Sequence, residues 1–372
     1  MAEQVTIVGA GPAGLAVAAC LKQRGITALV LETSAQVASV WRKHYDRLHL
    51  HTAKGGSVLP GMGFPSDYPR FISREQFIAY LESYARHFAL QPAFEETVSR
   101  IERNAGDWVV MTPKRRLASR HVVIATGYTR VPVLPTWPGL ERFQGAVLHS
   151  SCYRNGAPWT GKRVLVVGLG NSGGEIAIDL HEHGAKATIA IRSPVNVIPR
   201  EFLGLPILTV AAPLRALPPR VGDLLSAPLL ALTIGDISKL GLRRRPYGVF
   251  EQVKRDARVP LIDVGTLALV RAGQLKIAPG IERFTETSIV FEGGDSQPFD
   301  AVVLATGYRP KLEDFLPSAR ELCDERGFPR ADGQVSPGLH LCGFQLSTRG
   351  MLKEIGIEAE QTAREIASAL KN

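Results

Sequence analysis

Apolar stretches in this chain are short, and glycine punctuates them. Residues 5–8 (Val-Thr-Ile-Val) have the β-branched character of a buried strand, and Gly9-Ala10-Gly11-Pro12-Ala13-Gly14 follows at once. Residues 15–23 carry a helical pattern that stops at Gly25, residues 27–31 read as a second strand, and Glu32 ends it. The same order returns further along the chain. A strand at 162–167 leads into Gly168-Leu169-Gly170-Asn171-Ser172-Gly173, a helix at 175–182 follows, and a return strand at 186–191 ends in Arg192-Ser193. A third echo is the match of Val122-Val123-Ile124-Ala125-Thr126-Gly127-Tyr128 to Val302-Val303-Leu304-Ala305-Thr306-Gly307-Tyr308. Each is a strand-like run ending in a residue without a side chain, which suits close approach to a ligand. Residues 351–370 read as a closing helix.

These patterns predict an α/β chain with two Rossmann-like units. In such a βαβ context the three glycines have separate tasks. Gly9 permits the tight turn, Gly11 lets backbone approach a pyrophosphate, and Gly14 lets helix and strand pack closely. The helix N-terminus then offers free N–H groups and the positive end of its dipole to the phosphates. Glu32 stands about where an acid takes ribose hydroxyls. In the second unit the strand ends in Arg192-Ser193 instead. An acid there repels a 2′-phosphate whereas an arginine pairs with it, so the second site is expected to prefer NADPH over NADH. The alternative for Arg192 is a solvated strand-end residue.

Composition narrows the class without changing this picture. At 372 residues the chain is long enough for two domains with their own cores. The net charge of +9 comes from scattered basic residues, with tight clusters only at Lys114-Arg115-Arg116 and Arg243-Arg244-Arg245. Neither is interleaved with aromatic residues, so phosphate-rich cofactors and an anionic substrate explain the positive field better than nucleic acid does. Cys20, Cys152, Cys323 and Cys342 form no CxxC pair, which argues for a reducing, cytoplasmic setting and against disulfide-reductase chemistry. The uncharged residues 4–21 lack a basic leader and are interrupted by glycine, so they read as strand, turn and helix rather than a signal sequence. Residues 202–214 and 224–235 are apolar but shorter than the roughly 20 residues of a spanning helix. No transmembrane segment is expected. The region 202–242 reads as a cap over an active site, with superficial membrane contact as the other reading. Such a cap implies an apolar pocket with one or two cations for a carboxylate, Arg200 among the candidates.

Between the glycine motifs lies Phe143-Gln144-Gly145-Ala146-Val147-Leu148-His149-Ser150-Ser151-Cys152-Tyr153. Paired GxGxxG motifs flanking FxGxxxHxxxY resemble the class B flavin-dependent monooxygenases. Tyr153 closes the linker where Baeyer–Villiger enzymes usually carry tryptophan, so the flavin-containing monooxygenase branch fits better, and Leu304-Ala305-Thr306-Gly307-Tyr308 is that branch's second signature. Finer matches resemble the YUCCA type, the plant auxin-synthesis enzymes and their bacterial relatives. They include Tyr45-Asp46-Arg47-Leu48-His49-Leu50-His51, Phe64-Pro65-Ser66-Asp67-Tyr68-Pro69, Val197-Ile198-Pro199-Arg200-Glu201 and Pro260-Leu261-Ile262-Asp263-Val264-Gly265.

The resemblance implies FAD in the first site and NADPH in the second. It implies an FAD domain built from residues 1–150 and 295–372, with an NADPH domain at 151–294 inserted and the cap within it. The implied reaction uses O2 and a flavin carbon-4a peroxide to decarboxylate a small 2-oxo acid, indole-3-pyruvate, to the acetate. The enzyme alternative oxygenates an amine or a sulfide at nitrogen or sulfur, and a flavin-bound redox sensor is the non-enzymatic one. His51 stands where many relatives have an asparagine near the flavin's reactive edge. An imidazole there is placed either to set the protonation of the peroxide or only to pack and hydrogen-bond. Trp41 and Arg42 match a flavin-side segment, with core packing as the other reading of Trp41. Thr126 and Gly127, at the end of the first of the two echo strands, are expected to bind cofactor. Ala305, Thr306, Gly307 and Tyr308 are expected near cofactor, and Asn171 and Ser172 near NADPH. His149 is expected to tether the linker. Gly174 departs from a methionine common in YUCCA relatives, and Thr52-Ala53 also departs from the family pattern.

Overall fold

The first apolar run forms the strand Glu3–Val8, and Pro12 opens the helix Pro12–Lys22 at the position where a missing N–H costs nothing. The strand Leu29–Leu31 completes the unit. In the computed structural model, which describes residues 3–104, 106–256, 258–331 and 333–371, the contacts divide the chain into two units. The first comprises the N-terminal segment to Arg42, Thr52–Val131 and the segment from Tyr308 onward. Its sheet runs Leu29–Leu31, Glu3–Val8, Arg116–Ile124, Leu339–Leu341, Gly333–Ser336. The pairings among the first four are parallel, and the hairpin Arg100–Asn104/Asp107–Met111 joins antiparallel to Arg116–Ile124. Helix Arg74–His87 starts in a capping box, with Ser73 and Gln76 each satisfying the other's backbone N–H. The closing helix, Met351–Ala369, packs on Pro12–Lys22.

The second unit comprises Lys43–His51 and Pro132–Gly307. Its central sheet is all parallel, in the order Lys276–Ala278, Lys186–Ala190, Arg163–Val167, Ala301–Leu304, Ala146–His149. Val164, Val166, Ile189 and Val303 are fully buried, as strands of a parallel sheet covered on both faces must be. A small antiparallel sheet of Ile281–Phe284, Ser288–Phe291 and Ser296–Pro298 joins it.

The boundaries read from sequence, 150/151 and 294/295, differ from the observed division at 131/132 and 307/308. The reason is strand pairing. Ala146–His149 and Ala301–Leu304 flank the predicted insert, yet they pair with each other, and Ala301–Leu304 also pairs with Arg163–Val167. The second echo strand therefore belongs with the second glycine loop. Residues 43–51 also leave the first unit. Tyr45 is buried in the second unit's core, Asp46 accepts from Arg154 at 2.8 Å, and Arg47 pairs with Glu182. Among the described residues no helix is long and apolar enough to cross a membrane.

Candidate cofactor sites

In each unit the glycine loop follows a central strand, at the carboxyl end of a parallel sheet where neighbouring connections diverge. Open α/β sheets bind ligands in such crevices. A Cβ added at Gly9, whose φ is +108°, would lie 2.7 Å from the Ala125 carbonyl oxygen. One at Gly14 would lie 1.8 Å from the Gly9 carbonyl oxygen. Both positions exclude side chains because protein already fills the space. At Gly11 nothing lies within 4 Å. That glycine is required by no protein neighbour, and its open side fits an approaching phosphate.

Glu32 is buried beside this loop. Its Oε2 accepts from the Ala10 N–H at 2.8 Å, and its Oε1 accepts from the Ser34 N–H and hydroxyl at 3.0 and 2.8 Å. Oε2, with one partner, keeps capacity for a ribose hydroxyl. Thr126 follows the strand that walls the loop. Its Oγ1 is buried, and among the described residues it has no hydrogen-bond partner. A buried orphan hydroxyl costs free energy unless a ligand or water satisfies it. Gly127 follows at φ +70° with open space around it. Trp41 packs edge-on against Phe77 at 4.4 Å, and Arg42 pairs with Glu82. Those contacts anchor both residues within the first unit.

The second loop repeats the arrangement. A Cβ at Gly168, with φ +105°, would lie 2.7 Å from the Ala305 carbonyl oxygen, one at Gly173 would lie 2.0 Å from the Gly168 carbonyl oxygen, and Gly170 again faces open space. Leu169 is buried in the second unit's core. Here the echo threonine differs, because Thr306 Oγ1 donates to the Val133 carbonyl at 2.6 Å. Asn171 Oδ1 accepts from the Ile262 N–H at 2.8 Å, which commits that oxygen to the fold and leaves the side-chain amide nitrogen. Ser172 is half-buried on the first helical turn. Arg192 and Ser193 are exposed at the end of strand Lys186–Ala190. Arg243 donates its guanidinium to the Arg192 carbonyl, and the Val195 N–H donates to the Arg243 carbonyl at 2.8 Å. The basic run 243–245, unassigned by sequence, thus lies along the strand-end arginine. Tyr308 is half-buried and opens the short strand Tyr308–Arg309.

The linker residues have structural partners. His149 Nε2 bonds to the Gly307 carbonyl at 3.1 Å, and its Nδ1 accepts from the Ser151 N–H at 3.1 Å. Burial holds this imidazole below its usual range, the bond to Gly307 opposing. It therefore ties the linker to the second signature as a neutral ring. Tyr153 donates to Asp179 Oδ2 at 2.6 Å. Burial first, and that carboxylate second, push the phenol far above its usual range, so it serves as a fixed donor.

His51 lies in the second unit. Its Nε2 is 2.5 Å from Glu175 Oε1, on the helix Asn171–Glu182 that the second glycine loop caps. Glu175 is 4 % exposed. Sequence reasoning missed Glu175, Asp179 and Arg243. The first two had a legible signal: they are acids at i and i+4 within the run Glu175-Ile176-Ala177-Ile178-Asp179-Leu180, which is otherwise apolar and buried. Gly174 is hemmed in, since a Cβ there would lie 2.8 Å from Thr266 Oγ1. Arg200 is half-buried between Val197–Pro199 and Glu201–Phe202. The predicted cap borders an open cleft of about 530 Å³ lined by Val197, Leu230, Ala231, Arg244 and Tyr247.

Residues 2–325 match the family model of flavin-binding monooxygenase-like proteins. Indole-3-pyruvate monooxygenase YUCCA4 of Oryza sativa subsp. japonica is 39 % identical over 98 % of this chain and 87 % of its own length. Indole-3-pyruvate monooxygenase YUCCA6 of Arabidopsis thaliana is 38 % identical over 98 % of this chain and 90 % of its own. Among solved structures, a flavin-containing monooxygenase from Stenotrophomonas maltophilia superposes with a TM-score of 0.75 at 24 % identity, covering all of both chains. That likeness bears out the expected α/β fold with two dinucleotide-binding units.

Proposed function

The chain belongs to the flavin-binding monooxygenase-like family, and from that premise we propose that it is an NADPH- and FAD-dependent monooxygenase acting on a 2-oxo acid, indole-3-pyruvate before others. The observation that carries the two-cofactor reading is the pair of glycine loops, in which Gly11 and Gly170 alone face open space. FAD is assigned to the first loop. Residues 9–14 would hold its diphosphate, Glu32 its ribose, and the orphan Thr126 hydroxyl with Gly127 would face it. NADPH is assigned to the second. Residues 168–173 would hold its diphosphate, and Arg192, with Ser193 and Arg243 beside it, would take the 2′-phosphate. Ala305, Thr306 and Gly307 wall that loop.

When bound, the flavin activates O2 with electrons taken from NADPH. The chain's own task is to position the keto acid and to keep water out. In the net reaction one oxygen atom enters the acid, the other leaves as water, and the original carboxyl group leaves as carbon dioxide. His51, held by Glu175, is the residue to which we assign proton control. We place the enzyme in the cytoplasm, a reducing compartment that suits its lack of any CxxC pair.

The test uses FAD-loaded protein with NADPH and O2, with and without indole-3-pyruvate. A fall in hydrogen peroxide per NADPH together with indole-3-acetate that still forms when catalase removes free peroxide supports the reading. Stoichiometric peroxide with no acetate refutes the substrate, and N- or S-oxides formed from an amine or sulfide panel would assign the other oxygenation chemistry.

A further inference from the structure

Exposed large apolar side chains are not spread evenly over this chain. Of the eleven among the described residues, seven fall within thirty residues: Leu203, Leu205, Leu217, Val221, Leu224, Leu225 and Leu232. Four of these lie on helix Pro219–Ile234. Val221, Leu224, Leu225, Pro228, Ala231 and Leu232 recur at three- and four-residue spacing and so form one stripe. On a core-facing helix that stripe would be buried. Here Leu224 is 73 % exposed and Leu232 78 %.

The helix is held in this orientation. Gly222 faces inward, where a Cβ would lie 3.2 Å from the Phe250 ring. The Asp223 carboxylate accepts from the backbone N–H groups of Phe250 and Glu251, at 2.8 and 3.0 Å, at the start of helix Val249–Asp256. Rotating the leucines inward would break that cap. A second apolar tip lies in the same segment. Leu203, 86 % exposed with φ +48°, forms the turn of the hairpin Glu201–Phe202/Leu205–Pro206. That conformation favours glycine or asparagine, so folding gives no reason for leucine there.

Charge selects the occupant. Between residues 200 and 245 there are seven basic side chains and three acidic ones. Of the acids, Asp223 is engaged as a cap and Asp236 binds the Ser238 hydroxyl. Arg220, 85 % exposed with its Nε 3.6 Å from Glu251 Oε1, stands one turn before Leu224 on the same face, and Lys239 lies exposed beyond the helix's other end. A second copy of a chain carrying +9 would be repelled, whereas an anionic lipid surface would be attracted. An apolar stripe with basic residues at both ends matches a helix lying in a bilayer interface. We propose that helix Pro219–Ile234 and the Leu203 hairpin dock this enzyme peripherally on an anionic membrane surface, independently of which substrate it oxidises.

The experiment sediments the FAD-loaded full chain with phosphatidylcholine vesicles, with and without phosphatidylglycerol, at low and high salt. The protein is expected to sediment with the anionic vesicles, and less so at high salt. The triple variant Leu224→Glu/Leu225→Glu/Leu232→Glu should lower the bound fraction about tenfold while retaining FAD. Leu134→Glu, an exposed leucine outside the segment, should leave binding unchanged. No sedimentation with anionic vesicles at low salt, or equal sedimentation of the triple variant, overturns the proposal. Self-association of the wild type that the triple variant abolishes, without vesicle binding, would assign the stripe to a second copy instead.

Discussion

His51 Nε2 lies 2.5 Å from Glu175 Oε1, joining two residues 124 positions apart. The bond fixes an imidazole against the helix that carries the second glycine loop. If that imidazole controls a proton in turnover, loss of either partner should uncouple the enzyme. His51→Ala and Glu175→Gln should both raise hydrogen peroxide released per NADPH, with FAD content unchanged. His51→Ala also strands a buried carboxylate, so it should cost about 1–3 kcal/mol of stability. Normal coupling in a destabilised His51→Ala protein would reduce the pair to packing.

The glycines separate folding from binding. Gly11→Ala should leave the melting temperature of FAD-free protein near wild type, because Gly11 has extended backbone and open space beside it, and yet abolish FAD retention. Gly14→Ala should prevent folding, since its Cβ would meet the Gly9 carbonyl at 1.8 Å. Gly170→Ala and Gly173→Ala should divide in the same way for NADPH. Retained FAD in Gly11→Ala would remove the phosphate from that loop.

Much of this was readable in the sequence because glycine loops, β-branched strands and their repetition are local. The strand Glu3–Val8, the helix Asn171–Glu182 and the closing helix Met351–Ala369 follow from such patterns within a few residues. What escaped is long-range. No periodicity announces that Ala146–His149 pairs with Ala301–Leu304, and so the unit boundaries moved. Nor does local pattern assign His51 to Glu175, His149 to Gly307 or Tyr153 to Asp179. The contrast between Thr126, whose hydroxyl has no hydrogen-bond partner among the described residues, and Thr306, bonded to Val133, is likewise invisible in two identical Ala-Thr-Gly-Tyr segments.

Arg192 discriminates the nicotinamide cofactors if it pairs with the 2′-phosphate. Arg192→Ala should raise KM for NADPH about tenfold or more and leave KM for NADH unchanged, the loss of a charge-assisted contact. Binding of 2′,5′-ADP, followed by calorimetry, should weaken in parallel, and Arg243→Ala should show a smaller effect of the same sign. Equal changes for both nicotinamide cofactors would make Arg192 a surface residue only.

A buried pair of histidines sets an acid limit on stability. His340 is 1 % exposed and its Nε2 lies 3.4 Å from His121 Nδ1. Burial, and next the His121 charge, lower the His340 imidazole from 6.5 to about 4. With the folded value below the unfolded one, its contribution is fully present above pH 6.5 and is lost as pH falls toward 4. That loss is about 3 kcal/mol for His340, and burial lowers His121 in the same direction. His340→Phe should flatten the melting-temperature profile between those pH values. An unchanged acid slope in that variant would place the sensitivity elsewhere.

On the proposed function, this chain inserts one oxygen atom of O2 into a 2-oxo acid and releases its carboxyl group. The most direct test is a single turnover of FAD-loaded protein with NADPH and indole-3-pyruvate under 18O2. Indole-3-acetate carrying one 18O in its carboxylate is expected, with one carbon dioxide released per NADPH consumed. Added catalase removes free hydrogen peroxide, which would carry the same label into the acid. Unlabelled acetate, or labelled acetate that disappears when catalase is present, would contradict enzymic oxygen transfer.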